Sequence, residues 1–139
     1  MKPHSLRNHK RAAFSLVELV VVVLIIGILA AIAAPRMFDT AGNARDAATK
    51  ASLGIVRDSI ELYKSQNGSY PPAATLSTAI RPYMKGTFPS VQTTLATNQN
   101  NTVVASAADP ITVVAGTAGW AYNQSTGEFV VNSSNCIAW

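Results

Sequence analysis

The stretch Ala12–Pro35, "AAFSLVELVVVVLIIGILAAIAAP", decides the fold. The run from Phe14 to Ala34 is apolar except for one carboxylate, Glu18. Its 21 residues, at a rise of about 1.5 Å each, make a helix of roughly 32 Å, the thickness of a bilayer's hydrocarbon core of about 30 Å. Lys2, Arg7, Lys10 and Arg11 precede it with no acid among them. A basic N-terminal flank on a single span predicts a cytoplasmic N-terminus and an exported chain after Pro35.

A chain of 139 residues, 48% hydrophobic and 13% charged, has room for one domain with a modest core beside this run. Its net charge of +4 resides in the first thirteen residues, because from Phe14 onward seven Lys or Arg face seven Asp or Glu. The basic balance therefore describes the N-terminal segment and no nucleic-acid partner is expected. A cleaved secretory signal shares the layout of basic flank, apolar run and the small residues of "AAIAAP". Against it stand the length of the run, the acid inside it and Pro35 at the would-be cleavage point. A third reading is a single-span anchored binding protein that never polymerises.

Glu18 is the residue that most needs a reason. A carboxylate near the bilayer centre costs about 2.5–3.5 kcal/mol on insertion scales. Four residues from Phe14, about 6 Å along the axis, it sits closer to the headgroups and costs less. It either snorkels to the interface or has a partner.

With basic segment, small residue, Phe14, Glu18 and Pro35 in place, the stretch resembles the prepilin-peptidase leader and N-terminal helix of type IV pilins and type II secretion pseudopilins. In that family a Glu and a Pro follow the first mature Phe at fixed offsets, and here Phe14, Glu18 and Pro35 hold both. Ala13 stands where the family nearly always has Gly. The resemblance implies cleavage between Ala13 and Phe14 by a prepilin peptidase, N-methylation of Phe14, and pairing of Glu18 with the Phe14 amine of a neighbouring subunit. Two unit charges about 4 Å apart interact by about 4 kcal/mol at an effective dielectric near 20, and desolvation takes back much of that. What survives is mainly register, since every other position on the helix is apolar and can slide.

Past Pro35 the helical period continues. Ala41, Ala44, Ala48, Ala51 and Ile55 form one row, and Leu53, Val56, Ile60 and Tyr63 a second of larger side chains. Asp46 with Lys50 and Arg57 with Glu61, four residues apart, read as ion pairs on a solvated face. "QNGSYPP" ends the helix near Gln66, with Gly68 free to take positive φ and Pro71–Pro72 unable to continue it. "ELYKSQNGSYP" also resembles the helix end of the major pseudopilin of type II secretion.

The tail predicts a short amphipathic helix in "TLSTAIRPYM", ending near Arg81, and an exposed loop in "GTFPSVQTTLATNQNNT". Strands are predicted in "ITVVAG", "GWAYNQ" and "EFVVNS". Trp120, Tyr122, Phe129 and Val131 alternate onto one face, expected to pack on Ile55, Ile60 and Tyr63. The predicted fold class is α+β and pilin-like: a leader over 1–13, a membrane helix over 14–35, its exposed continuation over 36–67, and a head over 68–139 with a small antiparallel sheet.

Catalysis finds little support. His4 and His9, the only histidines, precede Phe14, so a cleaved chain has no Ser-His or Cys-His machinery and no ordinary zinc site. The single Cys136 closes no intrachain disulfide and is expected to be buried near the last strand. Major pseudopilins usually hold calcium in an acidic loop, so the resemblance makes calcium a candidate cofactor with Asp109 as its ligand. Only Asp109 and Glu128 lie beyond Glu61, few carboxylates for a cation that takes six to eight oxygens. The resemblance implies a homopolymer built through the N-terminal helices, in the bacterial inner membrane and then in a periplasm-spanning fibre. Minor pseudopilins and an inner-membrane assembly platform would be its partners, and type II protein secretion its task. A type IV pilin for adhesion, motility or DNA uptake is the neighbouring alternative.

Overall fold

The computed structural model describes residues 14–139. The chain divides after residue 38 into two units, and the first helix, α1 (Leu16–Asn67), contributes to both.

In the first unit α1 exposes its large apolar side chains. From Leu16 to Ile32 they are 45–77% accessible. This part of α1 is long and apolar enough to cross a membrane, with a mean hydropathy of 3.1. Apolar surface of this extent is stable against lipid or other apolar helices, not against water. Pro35 lies inside α1, as expected for a helix that loses one backbone bond at a proline and carries on beyond it.

In the second unit α1 buries one face. Thr49, Leu53, Val56 and Ile60, spaced four, three and four apart, are at most 2% exposed, and Tyr63 packs beside them. Ile55, expected in this core, is 52% exposed on another side of the helix. The row of larger side chains takes the core because a sheet leaves a gap that alanines cannot fill. The helix closes at Gly68, whose N–H donates to Lys64 O at 2.8 Å with φ at 76°. A residue at that φ is most easily a glycine.

The expected short helix is divided. A 3-10 turn at Ala73–Thr75 leads into α2 (Leu76–Ala79), and a second turn at Arg81–Tyr83 follows. Pro82 falls at the start of that second turn, where its missing N–H costs nothing. Leu76 and Ile80 are buried and Tyr83 is half-buried, as the pattern predicts.

The sheet contains β1 (Val103–Ala105), β2 (Trp120–Tyr122) and β3 (Phe129–Val131), in that spatial order. It is mixed, not antiparallel throughout. β2 and β3 form the expected hairpin, with Trp120 opposite Val131 and Tyr122 opposite Phe129. β1 runs parallel to β2, with Val103 opposite Trp120. The segment "ITVVAG", predicted as a strand, crosses the sheet's second face instead, where Ile111 and Val114 pack on Ala121 and Val130. Its backbone finds side-chain partners in place of a neighbouring strand: Ile111 N–H donates to Glu128 Oε2 and Val114 N–H to Asn132 Oδ1, both at 2.8 Å.

Trp120, Tyr122, Phe129 and Val131 are fully buried against Leu53, Val56 and Ile60, confirming the predicted inner face. Trp120 and Phe129 stack with centroids 5.0 Å apart. Both polar tips in this core are satisfied, Trp120 Nε1–H donating to Pro89 O at 2.9 Å and the Tyr122 hydroxyl to Pro71 O at 3.0 Å.

The charges on this part of α1 do more than line a solvated face. Arg57 Nε donates to Phe129 O and its Nη2 to Trp139 O, each at 2.9 Å. Burial pulls the Arg57 guanidinium below its ordinary pKa, and nearby Glu128 opposes that shift. Lys50 Nζ sits 4.4 Å from the centroid of the Trp139 ring, and Asp46 accepts from the Thr93 hydroxyl. The segment read as an exposed loop is also docked: Val91, Thr93 and Ala96 are buried, and Thr49 Oγ1 accepts from Gln92 N–H at 3.1 Å and Thr93 N–H at 3.0 Å.

Candidate functional site

The candidate site is the start of α1. Phe14 is 84% exposed and precedes the helix, as does Ser15. Ser15 caps it: Leu19 N–H donates to Ser15 O at 3.2 Å, and Val17 N–H to Ser15 Oγ at 3.3 Å. Glu18 Oε2 accepts from Ser15 N–H at 2.9 Å. This reciprocal arrangement is a variant of the capping box: the acid three residues into the turn satisfies the cap's own amide, while the cap hydroxyl takes the second helical amide in place of the third. Ser15 is the site residue that sequence reading passed over, although its signal, S-x-x-E before an apolar run, is present.

The geometry gives Glu18 a defined place in the single chain. The carboxylate is fixed beside the first turn, where the helix dipole favours negative charge. One backbone N–H does not exhaust it, because two carboxylate oxygens offer about four acceptor positions. The capped Glu18 can therefore also receive an ammonium from outside the chain. Phe14 and Glu18 both lie at this helix end, Pro35 lies farther along α1, and Ala13 lies outside the described residues.

Elsewhere the head offers little chemistry. Asp109 is exposed in the loop before "ITVVAG", and Glu128 is half-buried at the β2–β3 hairpin. Among the described residues no three of His, Cys, Asp and Glu gather as a metal would require. Tyr70 links Lys64 and Glu61, its hydroxyl 2.9 Å from Lys64 Nζ and donating to Glu61 Oε1 at 3.1 Å. That contact with Tyr70 raises the Lys64 pKa, fixing it as a cation. Cys136 is 1% exposed, as expected, and burial pushes its thiol up, which makes it a poor nucleophile.

The family described as "Prokaryotic N-terminal methylation motif" matches residues 8–34, which contain Phe14, Ser15 and Glu18. "Type II secretion system core protein G" of Pseudomonas aeruginosa is 30% identical over 66 residues, 48% of this chain. The match spans 46% of that relative, just under half its length. No solved structure matches the chain. The motif and the relative support a pseudopilin-like protein, with an apolar helix that fits a single-pass anchor in the inner membrane.

Proposed function

We propose that the chain is a structural subunit of a pilus-like fibre serving type II protein secretion. The observation that carries this reading is the coincidence, within residues 8–34, of the methylation motif with a capped, exposed apolar helix whose one acid accepts the amide of Ser15, the residue after Phe14. A prepilin peptidase cuts between Ala13 and Phe14 on the cytoplasmic side, and the new Phe14 amine is methylated. The apolar helix stays in the membrane until an assembly platform extracts it into a growing homopolymer, with minor pseudopilins as further partners. As helices bundle, Glu18 takes the Phe14 ammonium of the neighbouring subunit and so fixes the axial register of an otherwise featureless apolar surface. An intramembrane carboxylate with a cationic partner avoids the full cost of its burial.

The test has two arms. Mass spectrometry of the native protein should find a mature N-terminus at methylated Phe14; an N-terminus near Ala34 would point to simple secretion. Glu18→Ala should leave cleavage intact and abolish incorporation into fibres. Fibres of normal length and yield from that variant refute the pairing role.

A further inference from the structure

We propose that the head of this subunit is calcium-independent, because side-chain amides occupy the loop in which a cation would have to sit. The loop from 106 to 118 joins β1 to β2 and contains Asp109, its one carboxylate. Four asparagines turn their donor ends onto its carbonyls. Asn123 Nδ2 donates to Ala108 O at 2.8 Å, next to Asp109. Asn132 Nδ2 donates to Val114 O at 2.9 Å and Ala118 O at 3.1 Å. Asn98 Nδ2 donates to Gly116 O at 3.0 Å, and Asn100 Nδ2 to Thr117 O at 2.6 Å.

A calcium ion takes six to eight oxygens at about 2.3–2.6 Å, several of them carboxylate. Here five of the loop's carbonyls, those of Ala108, Val114, Gly116, Thr117 and Ala118, already face the positive ends of N–H bonds, which repel a cation. Glu128, the second carboxylate, accepts the Ile111 N–H and lies close enough to Arg57 for its charge to oppose the lowering of the guanidinium pKa by burial. Asn123 and Asn132 are 2% and 4% exposed, so these bonds exchange little with water. Among the described residues no buried side-chain nitrogen or oxygen lacks a partner, so the staple is complete as it stands. The donor set therefore does not fit calcium. Asn132, bonded to the loop through both Oδ1 and Nδ2, does the closing that a cation would otherwise do. The inference stands on the head unit alone and holds whether or not the chain polymerises.

The experiment is thermal unfolding of the full chain in detergent micelles, followed by tryptophan fluorescence, in millimolar calcium and in excess EGTA. The two Tm values should coincide, and a calorimetric calcium titration should give no saturable heat. Asn132→Ala should lower Tm by several degrees, equally in both conditions, and Glu128→Gln, which keeps an acceptor for Ile111, should leave Tm insensitive to calcium. Should Asn132→Ala fail to fold, Asn98→Ala removes a less buried bond to the same loop and should give a smaller drop, again equal in both. A calcium-dependent rise in the wild-type Tm, which any ion bound only by the folded state must produce, overturns the proposal. So does an asparagine variant whose lost stability calcium restores, or one that unfolds at the wild-type temperature.

Discussion

Gly68 and Gly127 offer a controlled pair, because their backbones are nearly alike and their surroundings differ. Their φ angles are 76° and 80°. A Cβ at Gly68 would meet nothing within 4 Å, whereas one at Gly127 would land on Cε1 and Cζ of Tyr70. Gly68→Ala should therefore carry only the left-handed backbone penalty, about 1–2 kcal/mol. Gly127→Ala carries the same penalty and must also displace the Tyr70 ring. That ring holds Lys64 Nζ 4.0 Å above its centroid and links Lys64 to Glu61 through its hydroxyl. Overpacking of this kind costs about 1–3 kcal/mol, so Gly127→Ala should total about 2–5 kcal/mol. For a domain of this size each kcal/mol moves Tm by about 4–8 °C, which places the second variant roughly 4–24 °C below the first. Thermal unfolding by near-ultraviolet circular dichroism reads the difference directly. A Tyr70→Ala background isolates its cause: with the ring removed, Gly127→Ala should cost no more than Gly68→Ala. Equal Tm values for the two single alanine variants would refute the packing argument.

Tyr122 predicts an alkaline weakness. Burial raises its pKa above the ordinary value of about 10, so the folded head holds the phenolic proton more tightly than the unfolded chain does. Its contribution is fully present below pH about 10 and is lost as pH rises toward the folded value. Tyr122→Phe should give up about 1 kcal/mol at neutral pH with the bond to Pro71, and should flatten the alkaline decline measured by denaturant unfolding across pH. Thr49→Val keeps the shape of the side chain but strands the Gln92 and Thr93 amides, costing about 2 kcal/mol or more; Thr49→Ser should recover most of it. Urea midpoints at an unchanged slope check both variants.

The parts of this protein that follow from local pattern were legible in its sequence. A long apolar run, the alternation of Trp120, Tyr122, Phe129 and Val131, and the glycine stop at 68 each rest on a period or a single backbone constraint. The sheet's third member was not legible. "TVVA" and "ITVVAG" are equally β-branched, and nothing local says that the first lies parallel beside β2 while the second crosses its other face. The choice is made at a distance, by Glu128 and Asn132 accepting the amides of Ile111 and Val114. Arg57 was misread for a similar reason: its spacing from Glu61 predicts an ion pair, but its carbonyl partners lie more than seventy residues away. At the candidate site Phe14 and Glu18 stand out by their offsets, while Ser15 carries only the weaker S-x-x-E signal of one small polar residue before an apolar run.

The bonds from Arg57 bear on how such a chain avoids the wrong kind of association. β3 is an outer strand of its sheet, and the carbonyls of Phe129 and Val131 point away from β2. An open row of this sort is a template on which a stray strand can add, the first step of edge-to-edge aggregation. Here Arg57 takes the Phe129 carbonyl and Ser133 N–H takes that of Val131 at 2.8 Å. With both acceptors taken, neither carbonyl is open to a stray strand along this edge. If subunits bundle through the apolar helix, as proposed above, that association then meets less competition from this edge.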